Sequence, residues 1–244
     1  MINFDNLQKW TKKDIKDFNN YLYSLKNIEK AKYTQNIYAT KKDCLAIKVP
    51  VLRLMAKDIC KGNAVDFLNL KTHKFIEDDI LTACIISLIK DYELQKSLTI
   101  DFFKNVDSWV CTDTLKLNNK KEKWEDIYAF SCELLNSKYP YLRRFAFVQL
   151  LKFAKNKESI QDIFNLIKNA RYEQEYYVNM SISWLICEIM IYYPENTLKF
   201  LKKYKENYKD LNNIFVLKKS ISKCQDSYRI SEENKKLLKN LLQR

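Results

Sequence analysis

Apolar positions recur along the chain at three- and four-residue spacing, the period of an α-helix with one buried face. "VPVLRLMAKDICKG", residues 49–62, carries the pattern between two punctuating residues. Pro50 suits a first helical turn, and Gly62 suits a C-terminal cap. "EDDILTACIISLIKDY", residues 77–92, is acidic at its start and basic near its end, as the helix dipole favours. The same periodicity predicts helices near 5–26, 93–104, 107–118, 122–136, 139–155, 158–169, 173–193, 195–208, 212–224 and 231–243. Ser231 is placed as the N-cap of the last. The connections are short and none reads as a disordered joint, so one domain over residues 1–244 is expected.

Two stretches look like copies. "YLRRFAFVQLLKF" begins at Tyr141 and "YVNMSISWLICEI" begins 36 residues later at Tyr177. The offset aligns Leu142 with Val178, Val148 with Trp184 and Leu150 with Ile186. A period near 36 residues in helix pairs predicts an all-α chain built as a curved α-solenoid of antiparallel HEAT-like pairs. The concave face of such an array would bring the ends and the middle of the chain onto one ligand.

Composition sharpens the picture mainly through what is scarce. The chain has one glycine, Gly62, and three prolines in 244 residues, too few positive-φ positions for the turns of a large sheet protein. An apolar fraction of 47% argues against disorder. No phosphate-cradling GxxxxGK[ST] or GxGxxG loop is present. The lone histidine, His73, lies between lysines and reads as a solvated surface residue; it makes a Ser-His-Asp triad improbable and a multi-histidine metal site impossible. Seven cysteines, none spaced as CxxC and several inside apolar runs, read as reduced core thiols of a cytoplasmic protein. No metal and no cofactor are expected. The N-terminus lacks a signal-peptide core, and no apolar run approaches the ~20 residues of a membrane span.

The net charge is +13 and is unevenly placed. Residues 1–65 carry 13 basic and 6 acidic side chains, residues 196–244 carry 13 and 5, and the middle carries 17 and 19. Basic ends on a curved array would grip a polyanion; lysines that serve solubility alone explain the same numbers.

"NVDSWVCTDTLK", residues 105–116, puts Trp109 and Asp113 on one helical face, with Asp107 and Lys116 close by. Two readings are open: a packed helix that carries an acid, or an aromatic wall beside a catalytic carboxylate. Taken alone, Trp109 and Trp184 in apolar helices fit core positions. Asp113 fits a bond to a neighbouring helix, and Arg143 and Arg144 fit ion pairs with acidic residues.

That stretch occurs in order with "AIKVPVLRLMAKDI" (46–59), "LRRFAFVQLLKF" (142–153), "YYVNMSISWLICE" (176–188) and "SYRISEENKKLLK" (227–239). Together they resemble the HEAT-like-repeat DNA alkylation repair proteins, the AlkD-type glycosylases. The resemblance implies a curved helical solenoid that cradles duplex DNA as a monomer and excises cationic N3- and N7-alkylpurines. It implies Asp113, Trp109 and Trp184 as the catalytic set. It implies Arg144 in the DNA cradle, and Arg143, Arg53, Lys116 and Lys152 are expected beside it. The chain departs from the family pattern at Ala46, where a glycine is usual, at Val49, where threonine is usual, and at Met180 and Cys187, where basic residues are usual. Residues 28–45 are a poor copy of the lesion-side helix. A subgroup that lacks this helix binds branched or unusual DNA without catalysis. That subgroup shares the "YYVNM" and "SYRIS" stretches, so a non-catalytic DNA-structure binder is the alternative expectation.

Overall fold

The computed structural model describes residues 4, 6–118, 121–170, 172–207 and 211–243. The outer ends of two expected helices, positions 5 and 208, lie outside them. The described residues form fourteen α-helices, two short 3-10 helices and no strand; the one extended pairing is a single bridge between Asp43 and Phe75. The all-helical expectation therefore holds. The chain divides into two compact units, Met1–Lys121 and Glu122–Arg244.

The first unit holds α1 (Lys12–Ser24), α2 (Ile28–Tyr38), α3 (Val49–Ile59), α4 (Ala64–Leu70), α5 (Ile76–Leu88), α6 (Tyr92–Phe102) and α7 (Trp109–Thr114). Thr11 and Asp14 close a capping box at the start of α1. Trp10, Phe18 and Phe67 meet edge to face behind it, with Trp10 and Phe67 centroids 4.7 Å apart. Helices α3, α6 and α7 pack on α5, which is buried from Ile76 through Ile86. Helix α3 ends where the sequence predicts, but not because Gly62 caps it. Cys60 is the C-cap, and no glycine has positive φ. A Cβ on Gly62 would lie 2.3 Å from the carbonyl oxygen of Leu7, whose oxygen accepts the Asn63 N–H at 2.8 Å. Close backbone approach is what demands glycine there.

The acidic start of α5 is not a solvated face. Glu77, Asp78 and Asp79 are all buried. Glu77 accepts the Leu45 and Ile47 N–H groups at 3.0 and 3.3 Å, and Asp78 accepts the Phe75 N–H at 2.9 Å. Burial raises the pKa of both carboxyls. Asp79 pairs with Lys42 at 2.5 Å and with His73 Nδ1 at 2.7 Å. His73, expected to be merely solvated, is exposed but bonded. Lys71 donates to the Asp78 carbonyl and to Thr82, and burial drives its pKa down to about 8.

Between the two N–H groups that Glu77 holds stands Ala46, with φ of 57°, in the left-handed region that favours glycine. This is the position at which the resemblance implies glycine. Substituting Ala46→Gly is expected to stabilise the chain by about 0.5–1 kcal/mol, the left-handed penalty of about 1–2 kcal/mol offset by the entropy of glycine. A thermal melt checks this; an unchanged or lower Tm contradicts it.

The second unit holds α8 (Trp124–Leu135), α9 (Pro140–Val148), 3-10 turns at Leu151–Phe153 and Lys157–Ser159, α10 (Ile160–Asn169), α11 (Tyr176–Tyr192), α12 (Pro194–Asn207), α13 (Leu211–Asp226) and α14 (Glu232–Gln243). The expected single helix over 139–155 breaks after Val148 and continues as a 3-10 turn. Helix α11 packs against α9, α12 and α13. Tyr141 and Tyr177, equivalent in the sequence offset, have stacked rings with centroids 6.4 Å apart. The offset thus marks neighbouring helices. It fails at Val148, which is buried although its counterpart Trp184 is not.

Candidate functional site

Helix α7 is shorter than the expected 107–118 because side chains from elsewhere take over its ends. Ser108 caps the start. Beyond Thr114 the chain is extended: the Lys116 N–H donates to Ser87 Oγ at 2.8 Å and the Asn118 N–H to Gln95 Oε1 at 2.7 Å. Within the helix Val110, Cys111, Thr112 and Thr114 are buried, while Trp109 and Asp113 are not. The less buried face of α7 therefore carries an indole and a carboxylate one turn apart, both half-buried. Thr112 donates to the Trp109 carbonyl at 2.7 Å and approaches Asp113 Oδ1 at 3.2 Å, fixing the turn between them.

Positive charge flanks this face. Lys116 is exposed as a whole; partial burial of its ammonium end lowers its pKa, Asp113 raises it and Arg53 lowers it further. Arg53 stands exposed on α3; burial raises the pKa of the Cys84 thiol, and Arg53 acts against that rise.

Residues 28–38 do form a helix, α2, and it buries none of its own side chains. Its C-terminal turn is held by the residues that open α7. Asp107 accepts the Thr40 hydroxyl at 2.7 Å and the Lys41 N–H at 2.8 Å. Ser108 donates to the Tyr38 carbonyl at 2.5 Å, and Trp109 Nε1–H to the Ile37 carbonyl at 3.0 Å. The Tyr38 and Trp109 rings meet edge to face at 6.2 Å. These bonds fix the plane of the Trp109 indole and seat α2 beside it, with Tyr33 and Ile37 exposed. Local sequence could not show this, because each tether joins residues about 70 positions apart.

The remaining candidates lie in the second unit. On α11 the half-buried or exposed positions Tyr177, Met180, Trp184, Glu188 and Tyr192 form one stripe, with the residues between them largely buried. Trp184 is thus a stripe residue and not a core one. Its neighbour Cys187 is buried. Arg144 is buried as well, and its Nη1 donates to the Tyr177 carbonyl at 2.6 Å, at the start of that stripe. Arg143 makes a two-pronged ion pair with Glu173, at 2.6 and 3.1 Å, and donates to the Ser137 carbonyl at 2.9 Å. The Glu173 pairing raises the pKa of Arg143; Glu173, pushed up by burial, is pulled below its ordinary value by Arg143 and by the Glu175 and Gln174 N–H groups. Arg143 is therefore engaged in holding the loop before α11, the acidic pairing open in the sequence. Lys152 is exposed, its ammonium 5.2 Å from the Phe153 ring centroid. Trp109 and Asp113 belong to the first unit and Trp184, Arg143, Arg144 and Lys152 to the second.

A family model for DNA alkylation repair enzymes matches residues 18–222. The chain belongs to that family, whose work is the repair of alkylated DNA, and DNA is its partner. Comparison with curated proteins and with solved structures found no match. Among the described residues no helix is long and apolar enough to cross a membrane, and no group of three or more His, Cys, Asp or Glu side chains is placed to hold a metal ion.

Proposed function

We propose that the protein is a monofunctional alkylpurine-DNA glycosylase that hydrolyses the N-glycosidic bond of cationic N3- and N7-alkylpurines in duplex DNA. The observation that carries this reading is the less buried face of α7. It offers an indole and a carboxylate, with Lys116 and Arg53 beside them, in a chain of the DNA alkylation repair family. An alkylated purine already carries positive charge, so it departs with the bonding electron pair without being protonated, and the reaction requires no general acid. Positive charge then develops on the sugar as an oxocarbenium ion. A fixed carboxylate at Asp113 stabilises that charge and orients the water whose oxygen bonds to the sugar carbon, the surplus proton passing to the solvent. The indole faces of Trp109 and Trp184 attract the cationic base and sugar, each such contact contributing about 0.5–2 kcal/mol. The proposal takes residues 1–244 as one DNA-binding domain of HEAT-like repeats and counts Trp184 in its catalytic set. In it Arg53, Lys116 and Lys152 steady the backbone, and the presence of α2 supports catalysis over simple binding. Arg144, buried on the Tyr177 carbonyl, holds the start of α11 instead of meeting phosphate as the sequence led one to expect.

A second reading, a non-catalytic binder of branched or unusual DNA, draws on the α11 stripe. Met180 on the stripe and buried Cys187 behind it stand where the family resemblance implies basic residues, so neither position offers a phosphate contact.

Both readings require salt-sensitive duplex binding with little sequence preference. In a fluorescence anisotropy titration the affinity should fall with salt at a log–log slope of roughly −0.9 per neutralised phosphate. No binding at low salt would overturn both.

A further inference from the structure

Helix α11 continues past Trp184 through Glu188 to Tyr192, about 12 Å along the axis. Arg229, in the turn between α13 and α14, closes on this end of the stripe. Its guanidinium donates to the Tyr192 hydroxyl at 2.9 Å and to Glu188 Oε2 at 3.2 Å, and lies 5.4 Å from the Tyr192 ring centroid. On the other side of the turn Ile230 is buried in the core of the unit. The turn is therefore pinned at two adjacent residues. Tyr228 precedes them and is 93% exposed, more than any other large apolar side chain described. Its ring adds almost no packing to the fold, while the backbone that carries it is anchored through the next two residues. Residues 214–242, on either side of it in the sequence, carry seven basic and three acidic side chains, of which Lys235 pairs with Glu232 and Arg229 with Glu188.

We propose that the α13–α14 turn is a second nucleic-acid contact, in which Tyr228 stacks on a base that lies outside the duplex stack while the surrounding lysines meet the strand. An exposed aromatic face on an anchored turn, among basic side chains, is the arrangement that holds unpaired strands, because every base has a π-face and every nucleotide a phosphate. In an intact duplex both faces of each base are covered by neighbours, so the ring finds its partner only at a gap, a fork or a junction. The inference rests on the DNA-binding function proposed above and specifies where on the DNA the second unit sits.

Anisotropy at one salt concentration decides it with two probes, an intact duplex and the same duplex interrupted by a short single-stranded gap. Tyr228→Ala is expected to weaken binding to the gapped probe about tenfold or more. Binding to the intact duplex should stay within about twofold of wild type, and the melting temperature should be unchanged. Tyr228→Phe should bind the gapped probe like wild type. An equal loss on both probes, no loss on the gapped probe, or a loss in Tyr228→Phe as large as in Tyr228→Ala overturns the proposal while the DNA-binding reading stands. A wild-type protein that binds neither probe overturns that reading, and this proposal with it.

Discussion

Asp113→Asn is expected to slow release of 7-methylguanine from methylated duplex DNA by about 100- to 1000-fold in single-turnover measurements, with duplex affinity retained. The substitution keeps the size of the side chain, and residues Val110, Cys111, Thr112 and Thr114, which seat α7 in the unit, are untouched. What it removes is one full negative charge from the face where positive charge develops. Loss of one group aimed at transition-state charge typically costs about 3–4 kcal/mol of barrier. Affinity for DNA should hold or rise, since a carboxylate repels phosphate. A variant that excises at the wild-type rate would show that another carboxylate, or none, carries the chemistry. Such a result would leave Trp109 as a positioning residue for α2 through its bond to the Ile37 carbonyl.

Asp79→Ala is expected to destabilise the protein by about 3–5 kcal/mol, the usual cost of removing one partner of a buried ion pair. Asp79 is fully buried and answers two groups at once, Lys42 and His73. Without it the Lys42 ammonium, whose side chain is only 18% exposed, loses its counter-ion. Lys71, already driven toward neutrality by burial, loses a charge that favours its protonated form. Against a total stability of about 5–15 kcal/mol this is a large fraction. In a chain of this length the melting temperature should fall by about 10 °C. A melt within about 2 °C of wild type would contradict the account of this cluster.

The helices with one apolar face were legible, because periodicity reports burial of a face directly. Pro50 marks the first turn of α3, and the acidic start of α5 marks its N-terminus. The partner of each face was not legible. The α5 acids look suited to a helix dipole in the sequence, yet they serve residues some 30 positions away at Leu45, Ile47 and Lys42. Gly62 does follow the end of α3, but what demands glycine there is Leu7, far from it in sequence. Helix α2 gave no signal because it buries nothing, and α4 is too short, at seven residues, to establish a period. Of the site, Trp109 and Asp113 were readable because the residues between them are apolar or small. Trp184 was readable only through the family pattern, as α11 is apolar almost all round. The i, i+4, i+8 run of Trp184, Glu188 and Tyr192 was the available signal for the stripe, and Arg229 for its end.

The claim that this chain cleaves a glycosidic bond is tested most directly on a duplex carrying a single 7-methylguanine. The protein at excess over DNA should release the free methylated base, leave an unbroken strand with an abasic site, and act without added metal or cofactor. Tight binding of that duplex with the methylated base still attached would contradict catalysis.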